Sequence, residues 1–241
     1  MLQMDFAFFN VERIRGFNST FVAICSSTSY TFGSPPISKR PSIDILKFIV
    51  TTLMNQDKNV ALIRVDEDGA LERSSVFMKT CHNMTITVQN TGGDTSSING
   101  KRERHNKKLV NITRALLLNS HHKKELWCFA YQYAIWLSCQ TENRLRGDVP
   151  YFIRHGTRPS LKNIKIWGVR VYIINVRATR NNIDDRSHRG YFMGYAATTG
   201  VIIYWKPYQP FIIHRAHHVW FDEYNSRLSV EDNHTTGSLL L

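Results

Sequence analysis

Three acidic residues stand where carboxylates can do chemistry: Asp5 inside the apolar run MDFAFF, Asp66 closing VALIRVD, and Glu103 in the basic run NGKRERHNKKL. A carboxylate inside an apolar strand is costly to bury unless it is paired or holds a cation. Asp5 and Asp66 fall where a mixed sheet can set two acids side by side. Glu103 follows Asp66 after 36 intervening residues, on a helical segment able to pack across such a sheet. Three oxygen donors with open positions suit Mg2+ or Mn2+, and two such ions activate a water or 3′-hydroxyl and stabilise the leaving oxygen in phosphodiester chemistry. Asn99, Lys101, Arg102, Arg104, Lys107 and Lys108 surround Glu103 and would hold a polyanion such as DNA against those acids.

Each of these residues also has a plainer reading. Asp5 can be an exposed acid at a frayed strand end, and Asp66 a turn residue in DEDG, where Glu67 or Asp68 would serve equally. Glu103 can be the surface partner of Lys107 at helical spacing of four, with the cations around it a solvated face. His121 with His122 and His217 with His218 invite a metal, but alternation on a strand or a loop position explains them as well. Trp127, Trp136 and Trp167 read as core rather than as base-stacking platforms.

The elements that must position these groups follow from pattern. Leu2 to Asn10 and Ser19 to Ser26 read as strands, and a third short strand spans Tyr30 to Gly33 before SPPISKRPS, whose prolines predict a loop. Ile43, Leu46, Ile49, Val50 and Leu53 recur at helical spacing. Val60 to Val65 is a buried strand ending at Asp66; Ser74 to Thr80 predicts a short helix and Met84 to Val88 a short strand. A helix from about Gly100 to Asn119 has Leu109, Ile112, Leu116 and Leu117 on its core side. The next, Leu126 to Cys139, turns Trp127, Ala130, Ala134 and Leu137 inward. After Pro150 the texture becomes short aromatic and β-branched runs, predicting a small β-barrel or meander from about Lys165 to Phe221. Residues 229–241 read as a tail.

Bulk properties bound the classes. Forty-two per cent hydrophobic residues are enough for a proper core. Thirty-one Lys and Arg against 19 Asp and Glu give a net charge of +12, which favours a polyanionic partner. No run approaches about 18 consecutive apolar residues, and the acid-bearing N-terminus is unlike a signal peptide. The expectation is a soluble intracellular protein of nucleus or cytoplasm, neither secreted nor membrane-bound. Cys25, Cys81, Cys128 and Cys139 are widely spaced with no CxxC pair, as expected of reduced thiols rather than a zinc site.

Asp5 in MDFAFF, Arg64 and Asp66 in RVDEDGAL, and Asn99, Gly100, Glu103 and Arg104 in NGKRERHNKKL resemble the three motif blocks of the integrase domain of copia-type retrotransposons. The similarity continues through ELWCFAYQYAIWL with NRL, then GTRPSLKNIKIWG, then DDRSHRGYFMGY and HHVWFDE, in family order from Asp5 to Glu223. The resemblance implies an α/β fold: a ribonuclease H-like core with a mixed sheet and flanking helices over residues 1–150, then a small SH3-like β-barrel over 151–228. It implies that Asp5, Asp66 and Glu103 are catalytic acids and ligands of Mg2+ or Mn2+, that DNA is the partner, and that a functional protein is a homo-oligomer.

The chain departs from the family pattern in places. Asp68, Gly69 and Ala70 stand where Gly-Gly-Glu is usual. Cys25 and Ser29 align with a family Asp and Arg, and Phe32, Gly33 and Ser34 replace an apolar triplet, which predicts a weakened strand. The zinc domain that precedes the family's core and the reverse transcriptase that follows it are expected to be missing, as in a truncated or decayed piece of a Pol polyprotein. Three functions therefore compete: metal-dependent DNA strand transfer and integration, a catalytically inactive nucleic-acid-binding remnant, and a ribonuclease H-like nuclease. The last does not need the C-terminal β module.

Overall fold

The computed structural model describes residues 1–9, 11, 19–37, 43–56, 59–66, 70–91, 96–143, 147–174, 187–196, 202–205 and 213–224. They divide into two compact units, Met1–Ala115 with Lys123–Leu161, and Leu116–His122 with Lys162–Leu241.

The first unit carries a five-stranded mixed sheet, β1 (Leu2–Phe8), β2 (Ser19–Cys25), β3 (Thr31–Ile37), β4 (Leu62–Asp66) and β5 (Thr87–Thr91), in the order β3-β2-β1-β4-β5. β1, β2 and β3 pair antiparallel, whereas β1–β4 and β4–β5 are parallel. Strand residues alternate between faces. Leu2, Met4, Phe6, Phe21, Ala23, Ile63 and Val65 form one apolar face. It buries against Leu46, Ile49, Val50 and Leu53 of helix α1 (Ile43–Met54) and Phe77 and Cys81 of α2 (Ser75–Asn83). Ser74 caps α2, its hydroxyl accepting from the Phe77 amide.

The opposite face is packed by α3 (Ser96–Ser120) and α4 (Trp127–Gln140). Helix α4 is buried nearly all round, with Trp127, Ala130, Tyr131, Tyr133, Ala134, Ile135 and Cys139 inaccessible, as expected for a helix inside the core. Phe9, just past β1, stacks on Trp127 at 4.0 Å. On α3 the core side is narrower than its leucines predict: Leu109 and Thr113 are buried, whereas Ile112, Leu116 and Leu117 are half-exposed.

Two strand expectations are corrected. β3 does not stop at Gly33 but runs through Pro35 and Pro36 to Ile37, pairing Thr20 with Pro36. It is an edge strand whose pairing with β2 is irregular between Thr20 and Val22, opposite Pro35, and edges and bulges are where a sheet tolerates proline. Gly33 does not weaken β3 either. A Cβ built there would lie 2.4 Å from Ile135 Cδ1 and 2.9 Å from Gln132 Oε1, so glycine is what lets α4 approach the sheet. Buried Ser34 completes the seam: its hydroxyl accepts from the Phe21 amide at 3.0 Å, and its carbonyl accepts from Thr20 Oγ1 and Gln132 Nε2.

Helix α5 (Pro150–His155) starts with proline and ends at Gly156 in the left-handed region (φ +73°). It belongs to the first unit, where the Arg154 guanidinium lies over the rings of Tyr30 and Phe32 at 4.3 and 4.5 Å. Contact therefore divides the chain at 161/162 rather than 150/151, and it groups the last residues of α3 with the second unit.

The second unit holds an antiparallel sheet of β6 (Arg170–Ile174), β7 (Ser187–Tyr195), β8 (Ile202–Trp205), β9 (Ile213–Ala216) and β10 (Val219–Phe221), ordered β10-β6-β7-β8-β9. Its core is Trp167, Val169, Val171, Ile173, Phe192 and Met193, and the Trp167 indole N–H is satisfied by the Met193 carbonyl at 3.1 Å. His122 packs into this unit. Its Nε2 bonds the Gly168 carbonyl at 2.9 Å, and its ring packs edge-on to Trp167 and Tyr191. Gly168 (φ +79°) admits no side chain, because a Cβ would meet His122 Cδ2 at 2.8 Å. All four cysteines are free thiols, and no described helix is long and apolar enough to cross a membrane.

Candidate active site on the mixed sheet

With Leu2, Met4 and Phe6 turned toward α1 and α2, alternation leaves Gln3 and Asp5 on the other face; in β4, Arg64 and Asp66 share that face opposite buried Ile63 and Val65. The parallel register pairs Leu2 with Ile63 and Gln3 with Arg64, a constant offset of 61. Beyond these two pairs, Asp5 and Asp66 follow on the same face, further along the two adjacent strands. β5 extends both rows, with Arg64 opposite Gln89 and Asp66 opposite Thr91.

Helix α3 is fastened over this face by two consecutive residues. His105 Nε2 lies 2.9 Å from Thr31 Oγ1, and Asn106 Nδ2 donates to Asp5 Oδ2 at 3.5 Å. Thr31 Oγ1 gives its own hydrogen to the Ser29 carbonyl at 3.3 Å, which makes His105 Nε2–H the donor between them. Burial, reinforced by the charge of Lys108, lowers the His105 pKa from 6.5 to about 4 and keeps the ring neutral. The other Asp5 oxygen accepts from the Phe6 amide at 2.7 Å.

Glu103 lies one turn before Asn106 on α3, and residues three apart are neighbours on a helix surface. Its side chain is exposed. The surface pairing of Glu103 with Lys107 is not formed: among the described residues, neither takes part in an ion pair. Arg104, Lys107 and Lys108 are exposed along the same helix. Asn99, Lys101 and Arg102 belong to its first turns, and their side chains lie outside the described residues, as do Glu67, Asp68 and Gly69 after the second acid.

A hard divalent cation suits the groups around Asp5 in kind. Asn106 Oδ1 and the Tyr131 hydroxyl are buried oxygens without a hydrogen-bond partner, and burial followed by the charge of Asp5 pushes the Tyr131 phenol pKa up. Convergence is incomplete, however. Among the described residues, no three His, Cys, Asp or Glu side chains come together closely enough to hold a metal ion. Asp5 and Asp66 lie on neighbouring strands of one sheet face, and Glu103 lies on the helix fastened over that face.

Residue patterns alone did not single out Asn106 or Tyr131. Asn106 was detectable in principle, because the position three after Glu103 shares its helix flank. Tyr131 was not, since an aromatic residue in an all-apolar helix carries no sign of the acid it faces.

Comparison with known proteins agrees with this architecture. Residues 169–234 match the Retroviral polymerase SH3-like domain family. Over 181 residues, 74% of this chain, the sequence is 25% identical to the retrovirus-related Pol polyprotein from transposon TNT 1-94 of Nicotiana tabacum. That match spans 14% of the polyprotein's length. In structure the chain is similar to a chain of the simian T-cell lymphotropic virus intasome solved in complex with PP2A regulatory subunit B56 gamma. The TM-score is 0.51 at 13% identity, covering 89% of this chain and 74% of that one. The catalytic core domain of BIV integrase aligns with 64% of this chain and 91% of its own, at 15% identity and a TM-score of 0.47. The fold is integrase-like: a mixed sheet with flanking helices, and a separate small antiparallel sheet in the region that matches the SH3-like family.

Proposed function

We propose that this chain is the integrase portion of a copia-type Pol polyprotein and carries out metal-dependent DNA strand transfer. The observation that supports the reading is that β1 and β4 are adjacent and parallel, with Asp5 and Asp66 on the face over which the helix bearing Glu103 is fastened. In this reading Asp5, Asp66 and Glu103 would hold Mg2+ or Mn2+. The bound ion supplies Lewis-acid activation of the attacking hydroxyl and neutralises charge on the leaving oxygen. The chain's own residues do the rest. Asn106 orients Asp5, His105 holds the helix in register without adding charge, and Arg104, Lys107 and Lys108, with Asn99, Lys101 and Arg102 before them, carry the DNA backbone. The working protein is a DNA-bound homo-oligomer inside the cell, in nucleus or cytoplasm.

The test is nicking and strand transfer on a labelled DNA duplex in Mn2+ or Mg2+. Activity is expected to depend on the metal and to be lost in Glu103→Gln; metal-independent activity, or none from well-folded protein, rejects the reading. One observation favours a second reading, a nucleic-acid-binding remnant without catalysis: among the described residues no three His, Cys, Asp or Glu side chains gather closely enough to hold a metal ion. In that case binding survives substitution of all three acids, weakens steeply with salt, and no nicking is seen in any metal.

A further inference from the structure

The face that carries Asp5 and Asp66 is covered over one half of the sheet and open over the other. On β2, Thr20, Val22 and Ile24 are 1%, 1% and 7% exposed beneath the helices, whereas Thr87 and Gln89 on β5 are exposed. Arg64 stands on the open half, two residues before Asp66 on β4, between Gln3 and Gln89. Two residues along a strand span about 6.6 Å, so a ligand at Asp66 lies within reach of the guanidinium.

The way Arg64 is held bears on its use. Its Nε–H donates to Gln89 Oε1 at 2.9 Å, which fixes the plane of the group from one side. Among the described residues that is its one hydrogen bond, and it forms no ion pair, even with Asp66 two residues along the strand. The two terminal nitrogens are therefore presented together as the edge that grips a phosphate bidentately.

We infer that Arg64, steered by Gln89, is a phosphate contact of this site, taking a backbone phosphate of the DNA strand that crosses the open β4–β5 half beside the acids. The inference rests on the reading of that face as the DNA site and extends it from helix α3 to the sheet. The strand then lies between two basic supports, with Arg64 below and Arg104, Lys107 and Lys108 on the helix.

The experiment titrates a fluorescein-labelled DNA duplex with the full chain at rising KCl, without divalent metal, for wild type, Arg64→Gln, Arg64→Lys and Gln89→Ala; circular dichroism checks folding. Arg64→Gln should flatten the slope of log K against log salt by about 0.9, the loss of one phosphate contact. Arg64→Lys and Gln89→Ala should keep the slope and bind several-fold more weakly, because charge remains but the oriented fork is gone. An unchanged slope in folded Arg64→Gln overturns the inference, and so does an unchanged slope accompanied by tighter Mn2+ binding, which would make Arg64 a charge offset for the acids. Should Arg64→Gln not fold, unchanged affinity in both other variants overturns it. Nicking in Mn2+ is scored separately. Its absence from wild type rejects strand transfer, whereas the slope alone decides Arg64.

Discussion

The two halves of one sheet face differ in what they do. Over β3 and β2 the face is dry: Gly33 admits α4, Ser34 and Gln132 stitch the seam, and His105 is held neutral against Thr31. Over β4 and β5 it is polar and open, with Arg64, Asp66, Thr87 and Gln89. Asp5 sits at the border, touched by Asn106 from the covered side, with Asp66 on β4, the strand toward the open side. The contrast teaches that the dry half supplies rigidity, the wet half supplies access, and a site needing both belongs at the line between them.

Substitutions should respond to that line in order of size. Gly33→Val forces a side chain into Ile135 and Gln132, and overpacking of this kind costs about 1–3 kcal/mol or more, so its urea midpoint should fall the furthest. A wild-type midpoint would mean that α4 yields easily and that the covered half is not rigid. His105 comes next. Its folded pKa of about 4 lies below the ordinary 6.5, so the unfolded chain takes up a proton first. Stability from this group is complete above pH 6.5 and is lost as pH falls through 6.5 toward 4, with a ceiling of about 3 kcal/mol. His105→Gln, which keeps a donor for Thr31, should flatten the stability curve over that window, and parallel curves for the two proteins would disprove it. Thr87→Ala on the open half should be smallest, within about 0.5 kcal/mol by urea titration. A larger loss would show that this half is covered after all.

Local pattern was informative where one face of an element meets a single environment. β1, β2, α1 and α2 sit where alternation and helical spacing put them, with Ser74 as the cap. β3 was misjudged because proline's effect depends on whether a strand is at an edge, which is a property of the whole sheet. The Phe32-Gly33-Ser34 departure read as a defect for the same reason, since only the neighbour across the gap, Ile135, shows why a hydrogen is wanted there. The core stripe of α3 was drawn too wide: Ile112, Leu116 and Leu117 are apolar but only half covered. The three acids and the basic run, as candidates, could be named from types and spacing. Arg64 was visible as part of a motif, but its bond to Gln89 was not.

Residue types and their spacing by themselves determined that this chain carries acids within apolar strands, a basic helix after them and a β-rich C-terminal region, because period and composition act within a few residues of each position. Tertiary structure alone decided that the strands carrying Asp5 and Asp66 lie side by side and that the helix carrying Glu103 is fastened over their face. That outcome depends on a parallel register joining residues 61 apart and on where one helix is pinned, contacts between segments that no local preference encodes.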